Sequence, residues 1–147
     1  MKPQIEIRDF IRQVLSANRF AVLATVSEGK PHSSFVAYTA SGDSLQLIFA
    51  TYRHTRKYAN LKQNNQVSML IENSKDRSTE ITVLTATGKA CEVDAADGEA
   101  LLQTHLRQHP ELNDFLLSPD CAVFRVDVEA YQLVQGIDDI RWWKTAE

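Results

Sequence analysis

A small β-barrel with flanking helices is the fold predicted by this 147-residue sequence. Three observations carry the prediction. About seven short apolar or β-branched runs are spread along the chain. They do not alternate regularly with helices, as a parallel α/β sheet requires. The early runs are joined by short Gly-containing turns, which favours an antiparallel meander. An open α+β sheet fits the same pattern. The length suits one domain, residues 1–147, with a sizeable core.

Ile7, Phe10, Ile11, Val14 and Leu15 recur at helical spacing and predict an amphipathic helix over about residues 5–17. Asn18 and Arg19 end it. The nearly continuous apolar run at 20–26 reads as a buried strand, with 27–31 turning into a second strand at 33–39. Residues 40–44 form a turn and 45–50 a third strand. A weakly amphipathic helix over 55–63 must lean on a sheet, because so short a helix does not stand alone. A fourth strand follows at 67–71, a polar loop at 72–80, and a fifth strand from 81 that runs past Gly88 to Val93. Gly88 has no Cβ and suits a bulge where a barrel strand bends. Asp94 or Asp97 caps the next helix, whose apolar side holds Leu101, Leu102, His105 and Leu106. His109-Pro110 interrupts it. Leu112, Phe115 and Leu116 make a further turn or two, and Pro119 stops them. Residues 122–128 and 131–134 read as strands, and the tail carries Trp142 and Trp143.

The formal net charge is −3 and the pI near 5.8. That balance argues against a nucleic-acid partner bound by bulk phosphate neutralisation. The first residues lack the apolar core of a secretory signal, and no apolar run approaches membrane-spanning length, so no membrane partner and a cytoplasmic location are expected. Cys91 and Cys121 lack the spacing of a metal knuckle or redox pair, and read as small hydrophobes on or beside strands. The four histidines have no zinc-like spacing, and no metal is predicted.

The segment from Thr51 to Leu61 departs from this mild background. It sets Arg53, His54, Arg56 and Lys57 where the third strand gives way to a helix. Positive charge is unfavourable at a helix N-terminus, whose free N–H groups already present positive potential. A bound anion reverses the sign. Backbone amides, the hydroxyls of Thr51 and Thr55, and the Arg56–Lys57 pair make a phosphate cradle.

The strand Phe20-Ala-Val-Leu-Ala-Thr25, the Pro31-His-Ser-Ser34 turn, the run Phe49-Ala-Thr-Tyr-Arg-His-Thr-Arg-Lys57, Asn60-Leu61, and Thr87-Gly-Lys-Ala90 stand out as a set. Together they resemble the pyridoxamine 5'-phosphate oxidase-like family. The order matches over roughly residues 5–135, and His109-Pro110 before Phe115 resembles the helical insertion of short members. The resemblance implies a mainly β fold with helices, an FMN-binding split barrel of about six or seven strands. It implies a homodimer with FMN at the subunit interface and a small-molecule substrate. It gives Thr55, Arg56 and Lys57 the flavin phosphate, with Thr51 a further phosphate or ribityl contact. Ser33, Ser34 and Phe35 would line the flavin, though the arginine and lysine of true oxidases are missing from that strand. A match for their C-terminal arginine and histidine pattern is also missing, which disfavours pyridoxamine phosphate as substrate.

The sequence is compatible with further readings. Trp142 and Trp143 pack over a partner subunit or flavin edge, or else cap the chain's own core. His54 meets phosphate or caps the helix; His32 lies near the flavin or in solvent; His105 and His109 are packed structural groups. The leading function is an FMN-dependent oxidoreductase passing hydride through flavin N5. A reductase using flavin or deazaflavin, a non-catalytic flavin- or haem-binding storage or sensor protein, and a dimer that has lost its cofactor are the alternatives.

Overall fold

The computed structural model describes residues 4–73 and 81–145. The elements in chain order are α1 (Gln4–Ala17), β1 (Phe20–Ser27), β2 (Lys30–Ala37), β3 (Thr39–Ala40), β4 (Gln46–Tyr52), α2 (Arg56–Gln63), β5 (Gln66–Glu72), β6 (Thr82–Glu92), α3 (Ala95–Gln108), a 3-10 turn (Pro110–Leu112), α4 (Asn113–Leu116), β7 (Cys121–Gln135) and β8 (Asp139–Lys144). The predicted loop at 72–80 lies mostly outside the described residues.

The strands form one curled antiparallel sheet in the order β2-β1-β5-β6-β7-β4-β3, with β8 also on β7. This is a split β-barrel: β2 and β4 approach without a ladder between them. The expected early meander is corrected here. β4 does not pair with β2; it crosses to β7, Thr51 opposite Ala122. Leu47, Ile48, Phe49 and Ala50 are all buried, so this run needs cover on both faces: Leu47 and Phe49 join the core inside the barrel, and α3 packs against β4.

The expected breaks near the C-terminus are corrected as well. Residues 121–135 are one strand, and the tail adds β8, where the pattern had shown no strand. The Pro31-His-Ser-Ser34 stretch lies within β2 rather than in a turn; the turn is Glu28-Gly29, both at positive φ.

Gly88 sits at a bulge. Thr87 pairs with Ala130 and Gly88 with Val128, leaving Glu129 as the extra residue on β7. A Cβ on Gly88 would stand 2.1 Å from the Asp127 carbonyl oxygen, so only glycine lets the strands approach here.

Ile7, Ile11, Val14 and Leu15 of α1 join the core with Leu23, Phe49, Met69, Leu84, Phe124 and Tyr131. Asp94 caps α3 through the Asp97 N–H at 2.9 Å. Trp143 is buried and stacks on Tyr131 at 5.5 Å. Its indole N–H has no hydrogen-bond partner among the described residues, and the Arg8 guanidinium lies 5.1 Å from its ring centre.

The outer face of the sheet is different. The run at 20–26, read as buried on both sides, buries only alternate residues: Ala21, Leu23 and Thr25 point in, while Phe20 and Val22 are exposed. Opposed pairs extend this outer face from Val22 to Phe35 and Leu70. Phe20 and Phe35 stack at 5.2 Å, and Phe35 is 68% exposed.

Candidate functional site

The β4–α2 junction is built from Thr51, buried at the end of β4, and Thr55, the N-cap of α2. The Thr55 hydroxyl donates to the Tyr52 carbonyl at 2.9 Å and accepts from the Tyr58 N–H at 3.2 Å. The two threonine oxygens are 3.0 Å apart. With its proton on Tyr52, Thr55 accepts from Thr51. The hydroxyls therefore brace the turn. The Arg56 and Lys57 N–H groups, first in the helix, have no partner within it.

The basic segment divides in two. Arg53 turns away: its guanidinium donates to the Pro119 and Cys121 carbonyls at 2.9 and 3.2 Å and pairs with Glu92 at 3.2 Å. His54 is exposed and stacks on Tyr52, which meets Phe115 edge-on at 4.8 Å. The cap of α2 is Thr55, not His54. Arg56 is exposed and Lys57 half-buried. Neither has a carboxylate partner among the described residues. Burial alone pulls the Lys57 ammonium below the usual lysine range, so Lys57 is a cation that gains from an anion beside it.

Sequence reasoning missed Glu92. Its carboxylate, at the end of β6, accepts from the Tyr58 hydroxyl at 2.7 Å and from Lys62 at 3.2 Å, besides Arg53. Partial burial pushes this carboxyl up, but the Tyr58, Lys62 and Arg53 contacts outweigh it and hold it below the usual range. Tyr58 and Lys62 share one helix face four residues apart, which was a visible signal. Their acceptor lies thirty residues on, where spacing says nothing.

The other predicted residues do not all converge. Ser34 lies opposite Leu23, on the inner face that α2 covers through the Asn60–Thr25 hydrogen bond of 3.2 Å. Ser33 and Phe35 lie on the outer face. Trp142 is also on the outer face, opposite Gln132. That is ten residues along β7 from Ala122, which faces Thr51, or roughly 33 Å of strand. Trp142 therefore stands apart from the cradle of its own chain.

His105 and His109 are buried and mutually packed at 4.8 Å. His105 Nδ1 is 2.7 Å from the Thr39 hydroxyl. His109 Nε2 is 2.7 Å from the Tyr38 carbonyl, which only accepts, so this nitrogen carries the hydrogen. Cys91 is exposed rather than packed, and Cys121 half-buried; both are free thiols. Burial pushes the Cys121 thiol up to about 11. Among the described residues no cluster of three His, Cys, Asp or Glu is placed to hold a metal. No helix among them is long and apolar enough to cross a membrane. A cleft of about 540 Å³ beside the end of α1, lined by Arg12, Arg19, Tyr38, Ser41 and His109, shares no residue with the cradle.

The junction thus offers two uncompensated cations and two open helix N–H groups at one place. That donor set fits a phosphate ester. The family comparison agrees with the topology: the family model for pyridoxamine 5'-phosphate oxidase matches residues 7–135. The chain belongs to the pyridoxamine 5'-phosphate oxidase-like family. No curated protein matches it in sequence. Among solved structures it is similar to a heme binding protein from Mycobacterium smegmatis, with TM-score 0.83 and 19% identity over 98% of this chain and 59% of that one. It is similar to a FAD-binding protein from Mesorhizobium loti, with TM-score 0.73 and 20% identity over 86% and 90% of the two chains. A heme storage protein from Vibrio cholerae matches with TM-score 0.69 and 24% identity over 88% and 92%. At these identities the likeness is one of fold.

Proposed function

We propose that this chain is an FMN-binding homodimer, with the flavin phosphate held at the N-terminus of α2. The observation that carries the reading is the Arg56–Lys57 pair, two cations without carboxylate partners among the described residues, in a chain of net charge −3. Arg56 offers its planar fork to two phosphate oxygens and Lys57 a point charge. Thr51 and Thr55 hold the turn that aims both. FMN, when bound, supplies hydride exchange at its N5. The protein's part is to fix the phosphate, to shelter the ring with Ser33, Ser34 and Phe35, and to leave room for a small molecule. Phe35 and Trp142 face outward, so each meets a flavin only across a subunit boundary. Binding is the better supported half of the reading; turnover of a small-molecule substrate is its extension.

A second reading, haem binding, is favoured by two similar structures whose proteins bind or store heme. In this chain His105 and His109 are committed inside the fold. A histidine ligand to iron would have to be His32 or the exposed His54.

The visible spectrum of the purified protein separates the readings. Flavin bands with release of FMN on denaturation support the first, and a Soret band on haem titration the second. Converting both Arg56→Ala and Lys57→Ala is expected to weaken FMN binding at least about a hundredfold in a fluorescence titration, since two charge-assisted contacts are lost. Unchanged affinity would remove the cradle.

A further inference from the structure

We propose that Glu92 is the positioning residue of the phosphate cradle. It engages Arg53 and Lys62, pins α2 to the end of β6, and leaves Arg56 and Lys57 as the pair that meets a phosphate monoester. The inference rests on the FMN reading above.

Three contacts converge on this one carboxylate. Tyr58 Oη and Lys62 Nζ reach Oε1 from the same face of α2, at 2.7 and 3.2 Å. Arg53 reaches Oε2 at 3.2 Å from the turn before the helix. Arg53 also holds the Pro119 and Cys121 carbonyls, so the same cluster joins the β4–α2 turn, α2, β6 and the start of β7. Glu92 faces Phe124 across the ladder, and Tyr58 meets that ring edge-on at 5.9 Å. The carboxylate therefore sits on a rigid part of the barrel, and the eight-residue helix is the part it steadies.

The charge arithmetic points the same way. Four cationic side chains lie between Arg53 and Lys62. Glu92 takes one at each end of the segment, and the two left over stand side by side at the first helical positions. A formal charge of +2 matches a phosphate monoester, which carries about −1.5 to −2 near neutral pH. Without Glu92 the threonine brace and the Asn60–Thr25 bond remain, but three of the contacts that steady Arg56 and Lys57 are lost.

The test compares FMN with riboflavin, which lacks the phosphate, by equilibrium fluorescence titration. The wild-type chain is expected to prefer FMN by at least about a hundredfold. In Glu92→Gln that preference falls about tenfold while riboflavin affinity stays the same. A role confined to holding the fold together would weaken both ligands alike. In an Arg56→Ala background Glu92→Gln adds less than about a twofold further loss, because it acts through the same cation. If Glu92→Gln does not fold, Tyr58→Phe decides, removing one hydroxyl and lowering the preference about threefold. A wild-type chain without preference for FMN overturns this inference together with the FMN reading. A preference abolished by Arg56→Ala with Lys57→Ala but intact in Glu92→Gln, or in Tyr58→Phe where that variant decides, overturns this inference alone.

Discussion

His105 shows how one side chain ties the fold to pH. It is 1% exposed, and its ring faces Thr39 Oγ1 at 2.7 Å and the His109 ring at 4.8 Å, with Glu111 beyond His109. Burial first, then the neighbouring His109, brings its pKa down to about 4; Glu111 opposes this weakly. An unfolded histidine titrates near 6.5. Between these values the unfolded chain binds the extra proton, so the stabilisation is complete above about pH 6.5 and is lost as pH falls toward 4. From pH 7 to pH 5 this one group is expected to cost about 2 kcal/mol. Urea unfolding at the two pH values checks it: His105→Gln should flatten the dependence by that amount, and parallel curves for the two proteins would refute the assignment. At this scale the sequence was readable where the geometry is local, as at the start of α2. Thr55, Arg56 and Lys57 follow one another, and helix-terminus electrostatics singles them out. Glu92 was not readable, because a carboxylate at a strand end declares itself only through what the barrel brings to it.

Among the elements, β6 and β7 depend most on a single backbone position. The two strands cross closely at Gly88, where an added methyl would overlap the Asp127 carbonyl, and backbone cannot swing aside as a side-chain end does. The bulge carbonyl of Glu129 is in turn taken by the Thr145 N–H at 3.0 Å, just after β8. Gly88→Ala is therefore expected to cost about 3 kcal/mol, the upper part of the range for overpacking. In a chain of this size that lowers Tm by roughly 10 °C. A calorimetric Tm within 2 °C of wild type would show that the strands part without strain. The bulge was legible because a glycine inside a β-branched run weakens the strand unless a bend or a close backbone approach requires it. Asp94 was legible for the same local reason, a capping residue before a helical pattern. β8 was not: Asp138, Asp139 and Arg141 break its apolar rhythm, and its strand state comes from pairing with β7. The crossing of β4 to β7 was hidden too, since partner choice is made by burial over seventy residues of separation and not by any nearby turn.

The whole molecule carries an unequal surface. One side of the curled sheet presents Phe20, Val22, Phe35 and Leu70 together, and Ile140 and Trp142 lie at its β8 end. A contiguous apolar face on a charged chain marks a surface that is covered in use. The run at 20–26 makes the same point in one dimension: it is apolar on both sides, yet the protomer buries only one. We take a second copy of the chain as the cover. A twofold contact brings the same patch against itself and is the commonest way to close such a face. In the proposed dimer, Trp142, remote from the cradle of its own chain, and the outward-facing Phe35 would meet the flavin of the partner. Light scattering should then report a dimer for the wild-type chain. Phe35→Glu with Leu70→Glu sets four like charges into the contact and should give a monomer whose circular dichroism is unchanged. That monomer should keep the Arg56–Lys57 cradle and so still bind inorganic phosphate weakly, while losing at least about tenfold in FMN affinity as the ring loses its second wall. A variant that stays dimeric would place the interface elsewhere, and a monomer with full FMN affinity would place the whole flavin site within one chain.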